Sequence, residues 1–170
     1  IVRNKVLAAA ATSLLQQRRR CESVYQLMNS ETARINYNRV LENLHALKQF
    51  YKHYNVISII DGANGEVVIS TYPDIVGKTL SSFNSYIDVL NNQDVAVKDV
   101  YTSELMGQKW MTYYCPVLMT DTLTLESSDV IVGVILLDVN VNNSVDPLIH
   151  SWPGMGKTGE TLLVRREGDN

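Results

Sequence analysis

Glycine and proline are absent from the first sixty-one residues of this 170-residue chain, whose whole length holds only 9 Gly and 4 Pro. Both residues interrupt helices, so their absence removes the usual punctuation from a third of the sequence. Cysteine is also scarce, with Cys21 and Cys115 alone. Two cysteines are no disulfide framework. Free buried thiols are the expected state, with a Cys21–Cys115 bridge as the alternative. Net positive charge is missing: the formal charge is -3, which argues against a general nucleic-acid binder. The one basic run, Arg18-Arg19-Arg20, reads as a solvated helix face rather than a binding patch. No apolar stretch reaches the roughly eighteen residues a membrane span requires, and residues 6–15 are only a short apolar patch. No signal peptide pattern is present. The chain opens on Ile1-Val2-Arg3 and closes on Gly168-Asp169-Asn170, and both ends read as cut from something longer.

What is present fits a globular chain: 45% hydrophobic and 19% charged residues. Residues 1–54 read as helix, or as two helices with a weak joint, on their Ala, Leu, Gln, Arg and Glu content. Leu7, Leu14, Cys21, Met28 and Ile35 recur every seven residues. Gln17 and Glu31 stand where companion apolar residues would be needed, so the coiled-coil signal is thin. After Ile35 the apolar face shifts to Val40, Leu41, Leu44, Leu47 and Tyr51. An unbroken helix over this segment would be roughly 80 Å long.

Residues 57–71 hold two β-branched runs around Asp61-Gly62-Ala63-Asn64-Gly65. Gly and Asn tolerate positive φ, so this is a hairpin signal. A short helix is expected over 83–91, then strands over 98–103, 108–119 and 130–141. In the second of these, Trp110, Thr112 and Tyr114 alternate with Met111, Tyr113 and Cys115. The run 130–141 is the most hydrophobic and fits a central strand. A helical turn over 142–150 and a last strand over 161–166 complete the order. Short connections imply a mostly antiparallel five-stranded sheet flanked by helices, an α+β fold.

Signals for catalysis are weak. Gly77-Lys78-Thr79 and Gly156-Lys157-Thr158 end like phosphate-binding loops, but Tyr72 and Ser151 replace the first Gly of that motif. His45, His53 and His150 are dispersed, without metal-ligand spacing. No nucleophile elbow is present, and neither cysteine has a nearby base. Asn142-Asn143-Ser144 matches a glycosylation acceptor, a short and unspecific pattern. No catalytic residue, metal or cofactor is expected. The aromatics say more: nine Tyr against two Phe. Tyr86, Tyr101, Tyr113, Tyr114 and Trp110 fall in or beside the sheet, as core residues with hydroxyls near the surface or as the lining of a polar pocket. Asp138 interrupts Val-Ile-Leu-Leu-Asp-Val-Asn-Val. A buried unpaired carboxylate is costly, so it lies near solvent at a strand end or faces a pocket and a cation.

The order of these segments resembles the Cache (PAS-like) extracytoplasmic sensor domains of transmembrane receptors. The similarity rests on residues 59–71, on Ile75-Val76-Gly77-Lys78, on Tyr113-Tyr114-Cys115-Pro116-Val117 and on residues 131–139. It implies a long N-terminal helix over 1–54, a distal sensor module over 55–150, and in 151–170 a linker with the first strand of a membrane-proximal module. Some amino-acid-binding members carry Arg-x-Trp-Tyr-x-Asp, a later Tyr and a final Asp. Here Tyr86, Asp88, Tyr101 and Asp138 match, while Phe83 and Ser85 replace the Arg and Trp. The matching residues would hold an ammonium group. The carboxylate clamp is lost, so the resemblance implies an amine or another small polar compound rather than an ordinary amino acid.

The expected function is therefore extracytoplasmic small-molecule sensing by a membrane-anchored, homodimeric receptor, without catalysis in this region and without nucleic acid as partner. Ligand occupancy would pass through the N-terminal helix to a cytoplasmic kinase, cyclase or chemotaxis module. The alternative is a dimerisation or spacer module that binds nothing, with the ligand in the proximal module. A cytoplasmic PAS-like domain is a third reading.

Overall fold

The computed structural model describes residues 5–80, 84–103 and 106–144. The helical segment is in pieces: α1 (Lys5–Arg18), a single turn α2 (Val24–Leu27) and α3 (Glu31–Phe50). An unbroken rod is thus not formed, and the reading with a joint is the one that holds. Serines make the breaks. Ser23 caps α2 by accepting a hydrogen bond from the Gln26 amide at 3.2 Å, and Ser30 caps α3 from the Ala33 amide at 3.4 Å. Such side chains satisfy the free amides of a new first turn and start a helix without Gly or Pro.

Beyond the helices lie β1 (Val56–Asp61), β2 (Val67–Ser70), a 3-10 turn at Pro73–Ile75, α4 (Asn84–Asn92), β3 (Ala96–Thr102), β4 (Lys109–Thr120), β5 (Ser127–Asn140) and the short α5 (Val141–Ser144). The five strands form one sheet in the order β2-β1-β5-β4-β3, with every neighbouring pair antiparallel. This is the α+β arrangement expected from the sequence. The last strand anticipated over 161–166 lies outside the described residues.

Central β5 is buried from Val132 to Asn140, which explains its near-continuous apolar run. On one face α1 packs on β4 and β5 and α3, beside it, on β1 and β2, enclosing Leu14, Leu15, Leu44, Ile57, Ile69 and Leu137. On the other face α4 and the Pro73–Ile75 turn cover Ile60, Val67, Val89, Tyr114, Val134 and Leu136. Gly133 is required where α1 meets the sheet, because a Cβ there would stand 2.6 Å from the Ile60 carbonyl oxygen and 2.7 Å from a Leu15 methyl. Only the first part of the thin heptad stripe is spent within the fold: Leu7 and Leu14 are buried in the first core, whereas Ile35 is 59% exposed.

The β1–β2 hairpin closes as the sequence suggests. Gly65 takes a φ of 71°, and the Asp61 carboxylate accepts from the Ala63 amide at 2.8 Å, an Asx turn. Residues 77–79 are not a phosphate loop, since the Gly77 amide donates to the Val67 carbonyl at 2.8 Å and Glu66 bridges to Thr79. Cys21 and Cys115 are both free and half-buried.

Candidate functional site

The α4-facing side of the sheet concentrates buried polar groups at one end. Alternation along β4 puts Trp110, Thr112 and Tyr114 on this face, all of them buried. The antiparallel register sets Thr112 opposite Asp138 and Trp110 opposite both Asn140 and Tyr101. Asp138 is 3% exposed. Its carboxylate accepts a 2.6 Å hydrogen bond from the Thr112 hydroxyl, which lies 3.0 Å from the Tyr101 hydroxyl. With Asp138 ionised, the Thr112 proton is committed to the carboxylate, so Tyr101 must donate to Thr112. The result is a directed relay from β3 through β4 to β5.

The electrostatics follow from burial. Removal from water pushes the Asp138 carboxyl up to about 6, against the opposing effect of the Thr112 hydrogen bond. Tyr101 is raised to about 12, first by burial and then by the Asp138 charge. The Tyr114 phenol is raised as well, by burial and then by Tyr101 and Asp138. Among the described residues no cation is paired with Asp138. The Tyr114 hydroxyl and the Trp110 indole N–H, both buried, have no hydrogen-bond partner among them either. A buried donor without a partner costs about 1–3 kcal/mol, and two of them beside a buried carboxylate mark a place suited to a polar guest.

The four residues singled out from the sequence separate in space. Tyr101 and Asp138 come together through Thr112. Tyr86 is buried, but its hydroxyl donates to the Asp61 and Gly62 carbonyls, both at 3.1 Å. Asp138 sits opposite Val56 and Gly133 opposite Asp61, so Tyr86 is anchored roughly 17 Å along the strand from the carboxylate. Asp88 is exposed on α4. Thr112 was not identified as a site residue. Its only sequence signal was the two-residue alternation with Trp110 and Tyr114, and its partnership with Asp138 needs the register. Phe83, at the position of the lost Arg, lies outside the described residues.

The basic run takes a different role from the one expected. Arg18 is buried and pairs with Glu66, also donating to the Cys21 carbonyl at 2.7 Å. Arg19 grips both Asp61 oxygens, the nearest at 2.7 Å, and donates to the Val132 carbonyl at 2.9 Å. Only Arg20 fits a solvated face; the other two fasten α1 to the hairpin. Among the described residues no cluster suits a metal ion, and no helix is long and apolar enough to cross a membrane.

No family profile and no curated protein matches this sequence. Solved structures do match its fold, and they define a class: ligand-binding sensor domains of bacterial receptors. The sensor domain of the V. cholerae histidine kinase DctB aligns with a TM-score of 0.51 and 14% identity, over 78% of this chain and 47% of that one. The sensory domain of the Campylobacter jejuni chemoreceptor Tlp3, solved with isoleucine bound, aligns with a TM-score of 0.55 and 16% identity, over 90% and 64%. An extracellular ligand-binding receptor from Desulfohalobium retbaense aligns at 0.54 and 12%, over 86% and 26%. The chain therefore has the fold of these sensors and spans about half of the DctB domain. That fold agrees with the Cache resemblance of its sequence.

Proposed function

We propose that this chain is the ligand-sensing region of a membrane-anchored receptor, exposed outside the cytoplasm, with residues 55–150 as its distal module and 151–170 leading into a proximal one. The observation that carries the reading is the buried Asp138 in its relay with Thr112 and Tyr101, flanked by the unpartnered donors of Trp110 and Tyr114. A cationic nitrogen on the ligand would pair with the carboxylate, and an acceptor oxygen would meet the indole and phenol. Pairing in so dry a setting is strong only if the charges are matched and hydrogen-bonded. Binding would shift an existing balance of conformations, which the helical layer passes on to an output domain. The homodimer contact falls to α3, since α1 is consumed by its own core.

A thermal-shift screen over amines, amino acids and carboxylates tests this. Amines are expected to raise the melting temperature, more strongly above pH 6 than below, because a cation prefers the ionised carboxylate. Asp138→Asn should abolish the response. If no compound stabilises the protein, or if the response survives Asp138→Asn, the sensing role of this site fails. The spacer reading then takes its place, favoured by Trp110, which is 5% exposed and packed into the α4-side core.

A further inference from the structure

We propose that the cavity between α1 and the sheet is a second ligand site, which takes a small uncharged apolar ring of about the size of benzene. It lies on the face of the sheet opposite Asp138 and shares no residue with that site. Its volume is about 130 Å³, on the scale of the roughly 150 Å³ engineered apolar cavity that binds benzene, and it opens to solvent on the side of the exposed Ser127. The cause is legible in the residues. Between Leu7 and Leu14, α1 turns Ala8 and Ala11 toward Ile59, Val117 and Ile135. Two methyl groups stand where larger side chains would fill the layer, so the walls lose dispersion contacts that a guest restores.

The polar atoms at the rim are already satisfied. The Thr120 hydroxyl donates to the Leu118 carbonyl at 3.1 Å and lies 3.0 Å from that of Ser127, and the Thr120 amide donates to the Thr12 hydroxyl at 3.1 Å. Water entering from the open side would find few partners on these walls, so an apolar guest displaces it at little cost. An ion would face a larger deficit. The space thus selects for apolar matter, and a guest there would touch both α1 and the sheet and hold the helix in place.

Benzene, added to the whole chain, is the probe. Saturating benzene is expected to raise Tm by about 2–4 °C, the shift expected per kcal/mol of stabilisation for a chain of this size. In methyl NMR spectra it should move the Ile59, Val117 and Ile135 signals and leave Val56, Val134 and Leu136 in place. Ala11→Leu, which fills the space, should keep the fold and lose both responses. Leu7→Ala, which enlarges the space, should gain a response to indole; this second variant decides the matter if Ala11→Leu does not fold. Absence of any benzene response in the unaltered protein overturns the proposal. So does a response confined to the Val56, Val134 and Leu136 methyls, which would place the guest on the other face.

Discussion

Asp138 holds its proton to about pH 6, whereas in the unfolded chain it lets go near pH 4. Below pH 4 both states are protonated and the residue exacts no penalty. Between pH 4 and 6 the unfolded chain ionises while the folded one does not, so stability falls as pH rises, and the deficit is complete above 6. Two units correspond to on the order of 3 kcal/mol. Asp138→Asn keeps the shape and can still accept from Thr112. It should therefore raise unfolding stability at pH 7.5 by about that amount and change it little at pH 4, as read by urea denaturation at the two values. Equal effects at both pH values would show that the carboxylate is not destabilised by burial. That Asp138 was exceptional could be seen from the sequence, because a single charge interrupts seven apolar or amide residues over 134–141. Its partners could not be seen. Thr112 is 26 residues away, and only the β4–β5 register makes the two adjacent. Tyr86 and Asp88 matched a pattern by position, yet the turn of α4 sends one into the core and the other to solvent.

At the level of elements, the strands were legible because burial on one or both faces writes itself into periodicity: β4 alternates and β5 does not. The breaks between α1, α2 and α3 were less so. Glycine and proline were the expected punctuation, whereas the chain uses Ser23 and Ser30, common residues that act as caps only in the right backbone conformation. The Arg18–Glu66 pair then fixes where α1 ends. Both side chains are about one-tenth exposed, so loss of one partner strands the other. Arg18→Met is expected to cost about 3–5 kcal/mol, and Arg18→Met with Glu66→Gln to recover most of it, because a neutral pair is often tolerated in place of a buried ionic one. A double-mutant cycle by chemical denaturation measures this, and additive losses would argue against a coupled pair.

For the whole molecule, the decisive fact is which helix is left uncovered. α1 is buried against the sheet and α3 through Leu7, Ala11, Leu14 and Leu15, so the homodimer contact proposed above would fall on α3. There Ile35 is 59% exposed and Phe50, at its end, 78%. Sedimentation of the chain should show a concentration-dependent dimer that Ile35→Glu weakens at least tenfold; an unchanged dimer would locate the contact elsewhere. The sequence showed the seven-residue stripe but not its partner. A stripe of that period can face another chain or the molecule's own sheet, and only the strand order decides between them.

The tip of the first hairpin joins the two layers on either side of the sheet. Arg19, just past the end of α1, grips the Asp61 carboxylate, and Tyr86 of α4 donates to the carbonyl of the same residue. A chain of three hydrogen-bonded residues thus runs from the helix covering one face to the helix covering the other, around the rim rather than through the packed middle. Movement of α4 against its face of the sheet has a polar lever arm to α1, and the close-packed strands between them need not deform.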